Sequence, residues 1–195
     1  MRYGGLAAGL LLLVLAGLGG WQGWRWYANR QAGAAATEFL RLTQEAAAEG
    51  ADMRAAAERF TAIAATAPPG YRTLARLRAA ALLAETGQLE AALAAYEALA
   101  ADAAVDRLYR DLATLLWGLH AVDGGDAAEI AARLTPLTAE GAPWRASARE
   151  VLAMAALRAG RSAEARGHLQ ALLADDYTPS GIRDRARRLL QGMGS

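Results

Sequence analysis

The stretch Tyr71–Asp102, YRTLARLRAAALLAETGQLEAALAAYEALAAD, decides the fold. Apolar residues recur along it at helical spacing, and Gly87 is followed five residues later by Ala92 and nine later by Tyr96. Ala92 and Tyr96 stand one turn apart on one helix face. There the small side chain admits a partner helix and the large one fills the gap beside it. The pattern predicts two helices joined at Gly87.

The same intervals return in both directions. In VLAMAALRAGRSAEARGHLQALLADD, Gly160 precedes Ala165 and Leu169 by the same distances. In MRAAAERFTAIAATAPPG, Ala56 and Phe60 are followed eight residues later by Pro68, which cannot continue a helix. These offsets resemble the tetratricopeptide repeat (TPR), whose period of about 34 residues marks a solenoid. Units begin near Thr37, Thr73, Asp111 and Ala146 and cover 37–70, 73–106, 111–144 and 146–179. The third is degenerate: Trp117-Gly118 suits the large-small pair of a first helix and Gly125 the turn, but Ile130 stands where a small residue is expected. Either looser packing or a register shifted by one accounts for it.

The expected fold is all-α: a transmembrane helix, then a TPR-like α-solenoid of about four helix pairs in a right-handed array, with a capping helix at its end. The helices are expected at 28–49, 52–66, 71–86, 88–102, 105–122, 126–140, 144–159 and 161–174, with the cap at 181–192. The cap covers an otherwise exposed apolar face. No segment alternates with period two for long enough to form a strand.

Composition narrows the chemistry. The 195 residues include no cysteine, and all of the basic residues are arginine. Thiolate nucleophiles, thiolate zinc sites, Schiff bases and P-loop lysines are therefore excluded. Basic and acidic residues number 21 and 20, which gives no electrostatic reason to expect nucleic acid. His120 and His168 lie on different expected helices without metal-ligand spacing, and Asp106 is placed to cap a helix. No polar constellation points to an enzyme, a cofactor, a metal or a small-molecule substrate.

The segment GGLAAGLLLLVLAGLGGWQGWRWY (4–27) is uncharged from Leu6 to Gly20. Extended through Trp21 and Trp24 it is about 20 residues, enough for a bilayer core of roughly 30 Å. Trp21, Trp24, Trp26 and Tyr27 stand where a cleaved signal would carry small residues, and they match an interfacial belt. Residues 1–27 are thus read as a transmembrane anchor with an aromatic belt and 28–195 as the repeat domain. A cleaved export signal is the alternative. Arg2 on one side is matched by Arg25 and Arg30 on the other, so flanking charge alone does not orient the segment.

Together with the anchor, the strings YRDLATLL, LTPLTAEGAPWRASARE and PSGIRDRA resemble the YfgM-like family, in its alphaproteobacterial branch. GAPWRASARE (141–150) is the most specific of these, because a generic repeat has no reason to start a helix with Pro143-Trp144-Arg145. The resemblance implies a single-pass inner-membrane protein with its repeats in the periplasm. The implied partners are subunits of the Sec translocon, a PpiD-like periplasmic chaperone and exported clients. In one departure, the chain begins at the edge of the apolar run, where that family carries a short charged cytoplasmic segment.

Candidate partner-binding positions are the inner residues of the first helices: Leu74 and Leu77, then Leu112, Leu115 and Leu119, then Met154 and Leu157. They form either a concave groove for a protein segment or helix–helix core. Trp144 and Arg145 are likewise either packing or a surface hot spot. Arg183, Arg185, Arg187 and Arg188 read as the solvated face of the cap. The lysine-based carboxylate clamp of some TPR modules is excluded in a chain without lysine. The leading functional expectation is a non-enzymatic membrane-tethered adaptor, and the alternative is a structural subunit of an envelope assembly.

Overall fold

The computed structural model of the chain describes the backbone of residues 4–194, and the side chains of residue 18 and of residues 20–194 apart from 28 and 29. Among the described residues there are nine α-helices, one 3-10 turn and no strand. The helices are α1 (Gly4–Ala46), α2 (Met53–Thr66), α3 (Pro69–Glu85), α4 (Leu89–Ala100), α5 (Arg107–Ala121), α6 (Ala127–Leu134), α7 (Arg145–Arg158), α8 (Ser162–Ala174) and α9 (Ser180–Gly192). The chain divides into two compact units, Met1–Ala75 and Arg76–Ser195, with the division inside α3.

Local chemistry places the helix ends. Asp52, Asp106 and Asp126 cap α2, α5 and α6, each accepting a hydrogen bond from a first-turn amide at 2.8 to 2.9 Å. At the end of α3 the amides of Gly87 and Gln88 donate to the carbonyls of Ala84 and Leu83, and at the end of α7 those of Gly160 and Arg161 donate to Leu157 and Ala156. This paired termination needs a left-handed residue, and Gly87 and Gly160 supply it with φ of 77° and 72°.

In the first unit α1 runs without a break through residue 27, the expected boundary between anchor and repeats. No proline falls in the segment, and its many alanines favour continuation. Phe39 packs edge-on against Phe60 of α2, with ring centroids 5.4 Å apart, and Leu42 and Phe60 are fully buried. At the rim Arg41 joins Glu38 and Glu45, and Arg59 donates to Glu45 at 2.7 Å. Hydrogen bonding to Arg59 holds the Glu45 carboxyl below its ordinary range. Among the described residues no helix is long and apolar enough to cross a membrane. The apolar run 6–20, on which the anchor was expected, lies almost wholly outside the described side chains.

In the second unit each helix from α4 to α9 packs on the next, and α7 also touches both α5 and α9. First helices of successive pairs therefore adjoin one another, as in a repeat array. Ala92 and Tyr96, and likewise Ala165 and Leu169, are at most 1% exposed, so the small-large pairs form the core as expected. The third pair departs from the pattern in two ways. Ile130 is buried rather than loosely packed, and the close approach comes from the opposite wall, where Gly118 of α5 faces Leu134 of α6. A methyl group at Gly118 would lie 2.7 and 2.8 Å from the two δ carbons of Leu134. In addition α6 stops at Leu134 and passes into the 3-10 turn Thr135–Thr138, because Pro136 has no amide to continue the ladder expected to residue 140.

Two stability predictions follow from these contacts. Gly87→Ala and Gly160→Ala are each expected to cost about 1 kcal/mol in chemical unfolding, because the added Cβ meets open space but the backbone is left-handed. Gly118→Ala is expected to destabilise by roughly 1–3 kcal/mol through overpacking, despite alanine's better helix propensity. In a Leu134→Ala background the same change should be neutral or stabilising, and equal effects in both backgrounds would remove the contact from the account.

Candidate functional site

Three helices of the second unit enclose an open groove of about 680 Å³. Leu115, Leu116 and Leu119 come from α5, Val151 and Met154 with Ser147 and Glu150 from α7, and Leu189 with Arg185 and Arg188 from α9. On each helix an adjacent pair is joined by residues three or four positions away, so each contributes one continuous stripe. The helix backs are held independently. Ala113 of α5 and Leu152 of α7 belong to the main core, while Ile182 and Ala186 of α9 are buried with Ala153, Leu169 and Leu172.

The groove is apolar along its floor and charged at one rim. Arg185 grips Glu150 in a two-point pair, Nε to Oε1 at 2.5 Å and Nη2 to Oε2 at 2.8 Å. That hydrogen bonding raises the Arg185 guanidinium above its ordinary value. Arg188 has no hydrogen-bonding or ionic partner among the described residues. The rim therefore carries one uncompensated positive charge.

Of the positions expected to bind a partner, the structure brings Leu115, Leu119 and Met154 together in this groove. Leu115 is nearly buried, Met154 is half-buried, and Leu119 is open, at 43% exposure. Leu77 is a core residue and Leu112 packs against the same core. Leu157 is half-buried without lining the groove, and Leu74 is half-buried in the first unit. The remaining lining residues, Leu116, Ser147, Glu150, Val151, Arg185, Arg188 and Leu189, were not among the expected binding positions. Leu189 continues the Ile182–Ala186 spacing and so reads as core in a linear sequence.

Of the α9 arginines expected on a solvated face, Arg185, Arg187 and Arg188 are exposed, while Arg183 is half-buried. Arg183 donates to the carbonyls of Asp175 and Asp176, Arg187 pairs with Asp184, and Arg185 crosses to Glu150 on α7. The partners of Arg183 and Arg185 lie outside α9, which a helical projection of α9 alone does not reveal.

Trp144 and Arg145 lie at the start of α7, away from the apolar floor. The Trp144 indole N–H donates to the Leu108 carbonyl at 3.0 Å, and Arg145 pairs with Asp175 at 2.5 Å, with Arg149 at 3.6 Å from the same carboxylate. The Pro-Trp-Arg string thus ties the start of α7 to α5 and to the loop before α9. It also borders a second hollow of about 610 Å³, where Tyr177 is exposed.

His120 stacks on Tyr96, with ring centroids 5.7 Å apart. Burial pushes the Tyr96 hydroxyl up to about 12, and burial pushes His168 below its ordinary value. Among the described residues no three histidine or carboxylate side chains are gathered to hold a metal. In the first unit, Trp21, Trp24, Trp26 and Tyr27 are all exposed. Arg25 lies 4.7 Å from the Trp21 ring centroid and Arg30 lies 5.1 Å from that of Trp26.

Comparison with known proteins finds no matching curated protein and no matching solved structure. A family model described as a tetratricopeptide repeat-like domain matches residues 1–178. With the helix pairs, the glycine turns and the small-large contacts in place, the chain belongs to the tetratricopeptide repeat-like family.

Proposed function

We propose that the protein is a non-enzymatic, membrane-tethered adaptor whose repeats lie in the periplasm and hold protein partners near the Sec translocon. TPR-like domains are protein-interaction modules, and the observation that carries this reading is the open apolar groove between α5, α7 and α9. Its floor combines leucine, valine and methionine, and methionine suits surfaces that adapt to more than one partner.

The tether rests on the uncharged run from Leu6 to Gly20, followed by four exposed aromatic rings. Arg25 and Arg30 on the faces of Trp21 and Trp26 suit the headgroup layer, where aromatic surface and cation are both accommodated. Tethering raises the local concentration of the repeats at one membrane surface, so weak contacts become effective. The likeness of GAPWRASARE and PSGIRDRA to the YfgM-like family supports a periplasmic domain, with translocon subunits, a PpiD-like chaperone or emerging clients as partners.

In-cell photo-crosslinking from Met154 and Leu119, with Leu77 as a buried control, tests this reading. Adducts with translocon subunits, periplasmic folding factors or exported chains are expected from the first two positions and not from Leu77. Leu119→Arg should remove most adducts formed from Met154. Crosslinks confined to the chain at both groove positions would refute the adaptor reading.

A further inference from the structure

We infer that the groove between α5, α7 and α9 takes an amphipathic helix bearing a carboxylate beside its apolar face, and that Arg188 selects that carboxylate. The inference rests on the groove being the partner site proposed above. Two observations specify the occupant. First, all three walls are helices whose backbone groups are hydrogen-bonded internally, so apart from Ser147 and the charged rim they offer an incoming chain apolar side chains and no row of backbone partners. An extended segment pressed into it would leave backbone amides and carbonyls without partners, whereas a helix brings its own satisfied. Second, the two rim arginines are not equivalent. Both oxygens of Glu150 are engaged by Arg185, so that pair is internally neutral, while Arg188 has no partner among the described residues.

A guanidinium beside an apolar surface attracts a carboxylate and disfavours a cation, so Arg188 confers specificity and the floor confers affinity. Leucines at i, i+3 and i+7 on the occupant would meet the floor, and a glutamate at the edge of that stripe would reach the rim.

The test uses the full chain in lipid nanodiscs and two fluorescent alanine-based helical peptides with leucines at i, i+3 and i+7. One carries glutamate at i+8 and the other lysine. Anisotropy should show the glutamate peptide binding about tenfold more tightly, as a charge-assisted hydrogen bond implies. R188E should reverse the order, and R188Q should abolish the preference while both peptides still bind. Far-UV circular dichroism should be unchanged, because Arg188 is exposed.

Equal binding of the two peptides, or a preference untouched by R188E, would overturn the inference. So would binding of neither peptide. If Met154 still crosslinks to proteins in cells, only the proposed chemistry of the occupant fails; without those crosslinks the adaptor reading fails with it. Oleate binding that depends on Arg188, or a dimer abolished by R188E, would assign the groove to a lipid carboxylate or to a second copy, and would also overturn the inference.

Discussion

Two helices can approach closely only where one of them presents no more than a methyl group, and the packing of the repeats depends on that constraint. Ala92, Ala113, Ala148 and Ala165 are completely buried, and each leaves room for a large neighbour rather than filling the interior itself. An alanine-rich chain would ordinarily bury too little apolar area per helix, since its methyl groups contribute little individually. Alternating alanine with a few large residues such as Tyr96, Leu99, Leu169 and Leu172 restores dense packing. The resulting core is thin and distributed along the array, so each helix back is held by its own neighbours.

That distribution explains which parts were legible in sequence. Gly87-Ala92-Tyr96 and Gly160-Ala165-Leu169 are patterns within short stretches of chain, set by local spacing and buried as a helix face requires, and the same local rule places Asp106 at the start of α5. The third pair obeys the physics and breaks the pattern. Close approach there needs one small residue and one large one, and Gly118 with Leu134 meets the requirement from the opposite helix to that used by Ala92 and Ala165. A reading tied to residue positions registers Ile130 as an anomaly. Asking which wall is small leaves no anomaly to explain.

The groove was less legible because it is assembled across pairs. Leu115, Leu119 and Met154 were identifiable from the inward stripe of successive first helices. Arg185 and Arg188 were not, since their roles depend on Glu150, which is 35 residues away along the chain from Arg185. Helical projection sorts residues by face but cannot say which acidic residue another helix will present. The same limitation applies to Trp144, whose indole finds the Leu108 carbonyl on α5.

Preorganisation is the property that joins fold to function. The groove's walls belong to helices whose opposite faces are buried in two separate core clusters, so an occupant need not order the site as it binds. The Glu150–Arg185 pair adds a fixed link between α7 and α9 across the rim, with Glu150 more sheltered than Arg185. An exposed ion pair of this kind adds little stability. Its larger effect is on charge: by occupying the one acidic side chain lining the groove, Arg185 leaves Arg188 without an internal partner. Two arginines one turn apart on the same helix are thereby given different tasks. One joins the walls, and the other presents a guanidinium to whatever enters.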